Sequence, residues 1–179
     1  MQKSQAEPWL RGTHSDIPAV PRAVLHAIEL AQEDLTSWCA ELSEQELIGT
    51  PSGLPSIAFH LRHIARSLDR LLTYAEGHQL NERQLLELTS EADSTASKSG
   101  LFGELSAAFT DSSARVLKLS ERSDTLNQTR TVGRKNLPTT VAGLLVHIAD
   151  HTQRHVGQAI TTAKILVAQR GQTVSATVR

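Results

Sequence analysis

The chain has 179 residues, with 18 basic and 19 acidic side chains, a formal net charge of −1, 39% hydrophobic residues and 3% aromatics. That length suits one domain with a real core. The balance of charge argues against a nucleic-acid partner, which selects a clustered basic face, and the scarcity of aromatics argues against stacking on single strands. A lone cysteine, Cys39, cannot form an internal disulfide and cannot build a thiolate zinc site alone. Between Trp38 and Ala40 it reads as a small buried hydrophobe. No apolar run approaches about 18 residues, so no membrane span is expected. The opening MQKSQAEPWLRG lacks the apolar core of a signal peptide, and a cytoplasmic location is expected.

Residues 1–15 hold Pro8, Gly12 and scattered polar groups, and read as an N-terminal arm. A first helix runs from about Pro18 or Pro21 to Leu42, with Val24, Ile28, Ala31, Leu35, Cys39 and Leu42 at helical spacing. Gly49 to Pro55 breaks the pattern. A second helix runs from about Pro55 to Glu76, and Gly77 is its expected left-handed terminator. Its stripe of Ile57, Leu61, Ile64, Leu68, Leu71, Leu72 and Ala75 is the clearest amphipathic pattern in the chain. The segment QLLEL then suggests a short helical piece, and SEADSTASKSG a polar loop. A third helix spans about Leu101 to Arg122. NQTRTVGRKNLPTT permits a small hairpin around Gly133. A fourth helix starts near Pro138 and runs to about Gln169, and residues 171–179 read as a frayed tail. Together these predict an all-α four-helix bundle over residues 16–170. The long stretch between the second and third helices has room for a crossover.

Five of the eight histidines fall in two of these helices. At about 100° per residue, His155 lies roughly 40°, His151 roughly 80° and His147 roughly 120° from the apolar centre of the fourth helix, all on one side. His151 and His155 therefore face the core or its edge, four residues apart, which brings two imidazoles within reach of one cation. On the second helix, His60 lies about 60° and His63 about 120° from the apolar centre, so periodicity prefers His60 as a third ligand. The plainer reading is that a helical histidine is most often a surface group or a hydrogen-bonded core residue. No HExxH, GxSxG or phosphate loop competes with the histidines.

"HIARSLDRLL" on the second helix and "LLVHIADHTQRHVGQA" on the fourth resemble the DinB/YfiT-like superfamily of metalloenzymes, and the order of helices matches from about residue 18 to 168. The resemblance implies a four-helix bundle, often homodimeric. It also implies a divalent cation held by one histidine of the second helix and two of the fourth, here His63, His151 and His155. His147 stands at the L-L-x-H position, which is not usually a ligand. Activities in such relatives include transfer of low-molecular-weight thiols and thiol-dependent isomerisation.

Three neutral nitrogens would leave a coordination position for water or a small-molecule substrate. They would also leave the cation its full charge to lower the pKa of a water or thiol beside it, which suits a hydrolase or a thiol transferase. Imidazole serves zinc, nickel or iron alike. No general base is evident. Asp150 points about 180° from the apolar centre. Asp69 and Arg70 read as a surface or helix–helix ion pair. Arg66 is one turn from His63 and either meets an anionic substrate or is solvated. Gly157, Ala159 and Ala163 fit close helix packing, and Gln158 is placed to orient a ligand ring. Two classes remain: a metal-dependent enzyme, or a non-catalytic bundle that keeps the histidines for stability or binding.

Overall fold

The computed structural model describes residues 6–92, 97–121 and 124–176. Four long helices carry the fold: α1 (Ala19–Cys39), α3 (Ile57–Ala75), α5 (Lys98–Ser120) and α6 (Val141–Ala176). Two short ones, α2 (Glu44–Ile48) and α4 (Glu82–Thr89), and a hairpin of β1 (Thr129–Val132) and β2 (Leu137–Thr140) lie between them. The all-α reading holds, with six helices among the described residues rather than four.

The main contacts run α1 to α6, α6 to α3, α3 to α5 and α5 back to α1. The helices α3 and α5, joined by the long stretch, are thus neighbours, and the diagonal pairs of the bundle are α1 with α3 and α5 with α6. The main core cluster is fed by all four stripes, including Val24 and Leu35 of α1, Leu61 and Leu68 of α3, Leu105 and Phe109 of α5, and Leu145 and Ile148 of α6, and a smaller cluster joins Tyr74 and Ala75 to Leu144. Fully burying a side chain of this size contributes about 1.5–3 kcal/mol. Cys39 belongs to the main cluster, and burial pushes its thiol up to about 11.

The helix ends follow local chemistry. Ser56 starts α3 by accepting a hydrogen bond from the Phe59 amide (3.1 Å), which sets His60 and His63 in its first two turns. Gly77, at φ 90°, ends α3: its amide donates to Tyr74 O, and the His78 amide donates to Thr73 O. Ser43 and Glu46 form a capping box that starts α2, a segment the apolar periodicity did not reveal. Asn81 and Gln84 do the same for α4, which extends the expected QLLEL piece. Helix α5 begins at Lys98, earlier than Leu101, because the Ser97 hydroxyl accepts from the Gly100 amide. The middle of the SEADSTASKSG loop, residues 93–96, lies outside the described residues.

The hairpin pairs Thr129 with Thr140 and Val132 with Leu137 in antiparallel register. Pro138 sits in β2 opposite Thr131, so the last helix begins at Val141 and not near Pro138. Two β-branched threonines precede Val141, and the Thr140 hydroxyl accepts from the Gly143 amide (3.0 Å) as a cap. The hairpin is also tied to this start, since the Val141 amide donates to Gln128 O and the Ala142 amide to Leu126 O. At its far end α6 continues to Ala176, beyond the expected stop near Gln169. Residues 177–179 of the expected tail lie outside the described residues.

Candidate metal centre

The apolar stripes of α3 and α6 each contain a polar window where the two helices meet. On α6, His151, Thr152 and His155 interrupt the run between Ile148 and Ala159. On α3 the window spans His60, His63 and Ser67. Thr152 (1% exposed) and Ser67 (4%) are small and buried, and they leave room for imidazoles between the helices. His63, His151 and His155, all partly buried, come together there, with one possible ligand atom from each within 4.8 Å of the others. Ring centroids are 5.0 Å apart for His63 and His151, 4.3 Å for His63 and His155, and 4.6 Å for His151 and His155.

The hydrogen bonds decide which nitrogens are bare. His63 Nδ1 lies 2.6 Å from Glu91 Oε2, and the Arg70 guanidinium donates to Glu91 Oε1, also at 2.6 Å. Burial raises the Glu91 pKa, but the bonds from His63 and Arg70 outweigh it and hold the carboxyl below its ordinary value. An ionised carboxylate only accepts, so His63 Nδ1 carries a proton and donates it. The Ser67 hydroxyl donates to Ile64 O (3.1 Å), so toward His151 Nδ1, 3.5 Å away, its oxygen is the acceptor. That places a proton on His151 Nδ1 as well.

In the neutral rings both Nε2 atoms then carry lone pairs, and they face each other at 3.2 Å. Two such lone pairs repel unless a proton or a metal cation lies between them. Nitrogens bound at about 2.0–2.1 Å to one tetrahedral ion stand roughly 3.3 Å apart, close to the separation seen. The third ring, His155, makes an Nδ1···Nδ1 hydrogen bond of 3.1 Å with His60, which leaves its Nε2 for the cluster. His60 itself is 2% exposed and packs behind His155. Burial, followed by repulsion from neighbouring rings, lowers His60, His151 and His155 to about 4. At neutral pH these rings are neutral, as metal ligands must be.

Other expectations fare differently. His147 is exposed, with its ring 5.4 Å from that of His151. Asp150 pairs with Arg154 on the surface. Asp69 and Arg70 do not pair with each other: Asp69 meets Arg115 and Arg83, and Arg70 meets Glu91. Arg66 is neither solvated nor aimed at the cluster. It binds Glu104 of α5 at 2.8 Å and, through the Glu87 carbonyl and Ser90 hydroxyl, the end of α4. Ala159 and Ala163 are buried as close packing requires, but Gly157 is not in tight contact, because a Cβ added there would meet open space. Gln158 lines a cavity of about 420 Å³ beside His60. The ring-orienting partner that the structure provides is Glu91. It was missed because a single acidic residue between α4 and a polar loop has no periodicity to mark it.

The fold is a mostly helical bundle, closed by a short hairpin, in which three histidines from two facing helices could hold a metal ion. The family model of the DinB superfamily matches residues 27–159, and the chain belongs to that superfamily. No curated protein matches it.

Proposed function

We propose that this chain is a metal-dependent enzyme acting on a small molecule, with His63, His151 and His155 holding one divalent cation. The observation that carries the reading is the pair of Nε2 atoms, 3.2 Å apart, whose partner Nδ1 nitrogens face Glu91 and Ser67. Membership of the superfamily supports it. Glu91 fixes the Nδ1 proton and tilt of His63, while His60 holds the His155 ring in position through its Nδ1. Phe59 stacks on His63 with ring centroids 5.4 Å apart and shields one face of that ring from water. All three cluster histidines keep some exposure, which favours a site open to water or substrate over a closed structural one. When bound, the ion would supply a positive charge that lowers the pKa of a water or thiol beside it. The reaction proposed is hydrolysis or transfer of a low-molecular-weight thiol, and zinc, nickel and iron all suit the donor set. The homodimer is part of the same proposal, with Trp9 and Leu10 (61% and 58% exposed) as apolar surface for it to cover.

The test is elemental analysis of tag-free protein loaded with zinc or nickel at pH 7.5 and desalted, for the wild type and for His63→Ala/His151→Ala. The metal-loaded protein is then screened for thiol transfer and hydrolysis. A metal content lower by about one ion per chain in the double substitution, together with turnover that depends on that ion, is the expected result. An equal metal content in the two proteins would overturn the site. Full metal occupancy without turnover in either screen would overturn the proposed reactions.

A further inference from the structure

The N-terminal arm bends back onto α1 through two residues in the left-handed region, Gly12 (φ 71°) and His14 (φ 56°). Glycine adopts this conformation freely, whereas a histidine held there is strained. The turn brings the His14 ring over α1, 5.6 Å from the His26 ring between centroids. His14 Nε2 lies 2.7 Å from Glu29 Oε1. His26 and Glu29 are three residues apart and share one face of α1. One possible ligand atom from each of the three lies within 4.8 Å of the others. His26 is 9% exposed, and its Nε2 is bracketed by the Thr13 hydroxyl (3.1 Å) and the Thr13 carbonyl (3.3 Å). Thus the residue just before His14 holds the His26 ring in place.

We propose that His14, His26 and Glu29 form a second divalent-cation site, of zinc type, which fastens the arm to α1. Two imidazoles and one carboxylate are a zinc donor set, and the carboxylate offsets part of the ion's charge. The ion takes the place of the hydrogen bond between His14 and Glu29, and their 2.7 Å contact opens to roughly 3.3 Å. Their side chains are 29% and 36% exposed, so an ion enters without unfolding the helix. A cavity of about 520 Å³, lined by Thr13 and His26 together with Trp9, Arg22 and Gln153, opens on the His26 side of the group. The group shares no residue with the inner cluster, and it crosses from the arm to α1 rather than from α3 to α6. Its ion would therefore act on the arm.

The test uses the full, tag-free chain loaded with zinc at pH 7.5 and desalted. The His63→Ala/His151→Ala protein should keep about one zinc per chain, and adding His14→Ala or Glu29→Gln should weaken that zinc at least about tenfold. In an otherwise wild-type chain, His14→Ala lies in the arm and leaves the bundle core intact, and it should lower the zinc count by about one. Trypsin cleavage after Arg11 supplies a second readout. Zinc should slow it at least about tenfold in the wild type and leave it unchanged in His14→Ala. A zinc count and a cleavage rate that are both indifferent to His14→Ala would overturn the proposal. If the inner site alone fails, the zinc count ignores His63→Ala but still responds to His14→Ala, so the two failures are distinguishable.

Discussion

Replacing Glu91 by glutamine tests the inner cluster at its most informative point. Each carboxylate oxygen now accepts one donor at 2.6 Å, His63 Nδ1 on one side and the Arg70 guanidinium on the other. Glutamine has one acceptor oxygen and an NH2 that only donates. Arg70 is charged, with a side chain 10% exposed, and so it claims the oxygen. The NH2 then faces His63 Nδ1, which must accept, and the ring proton moves to Nε2. The lone pair facing His151 at 3.2 Å is lost. To bind metal, the protein must restore the first tautomer against two opposed donors. Zinc affinity should fall tenfold to a hundredfold, which is about 1.4–2.7 kcal/mol. Stability should fall by about 1–3 kcal/mol as the buried guanidinium loses its countercharge. Zinc titration against a competing chelator measures the first, and nitrogen NMR of the His63 ring in metal-free protein reads the tautomer. The double substitution Glu91→Gln/Arg70→Met frees the amide oxygen to accept from His63 and should recover most of the affinity. Zinc binding by Glu91→Gln within about twofold of wild type, or a double variant no better than the single, would refute the tautomer argument.

Three further outcomes are expected. His60, His151 and His155 are lowered in the fold from 6.5 to about 4, so the unfolded chain binds the extra protons between those values. The stability of metal-free protein should therefore be fully present above about pH 6.5 and decline toward pH 4, by up to about 3 kcal/mol for each of these rings. Urea midpoints flat across that window would contradict this. His63→Ala should weaken zinc at least about tenfold, while His60→Ala, which removes a buried ring behind the ligands, should cost about 2–3 kcal/mol of stability with a smaller effect on zinc. Swapped phenotypes would assign the ligand role to His60. Cys39, buried and with its thiol pushed up to about 11, should resist thiol reagents in the native protein and react only on unfolding. Rapid labelling without denaturant would show that this part of α1 opens.

The elements of this protein were largely determined by its sequence. Helical periodicity marked α1, α3, α5 and α6, because an apolar stripe repeating every 3.6 residues has few other ways to be buried. Gly77 ended α3 where it was expected to, since the backbone there needs a positive φ. Ser43–Glu46 was equally legible as a capping box and went unread because α2 has no stripe. Around the candidate metal centre, the i, i+4 spacing put His151 and His155 on one face, which is a local property of one helix.

The choice between His60 and His63 was not local. Angles measured from the apolar centre of α3 favoured His60, yet the nitrogens meet where α3 and α6 face each other, and that line lies off both stripe centres. Only the packing of the two helices sets the 3.2 Å approach of His63 to His151 and turns His60 behind His155. The same holds for Glu91, Arg70 and the arm's His14. Their partners are 28, 21 and 15 residues away along the chain, across contacts that no periodicity encodes. A helix writes its own face into its sequence, but which face it meets, and which polar atoms then share a buried space, is decided when the helices pack.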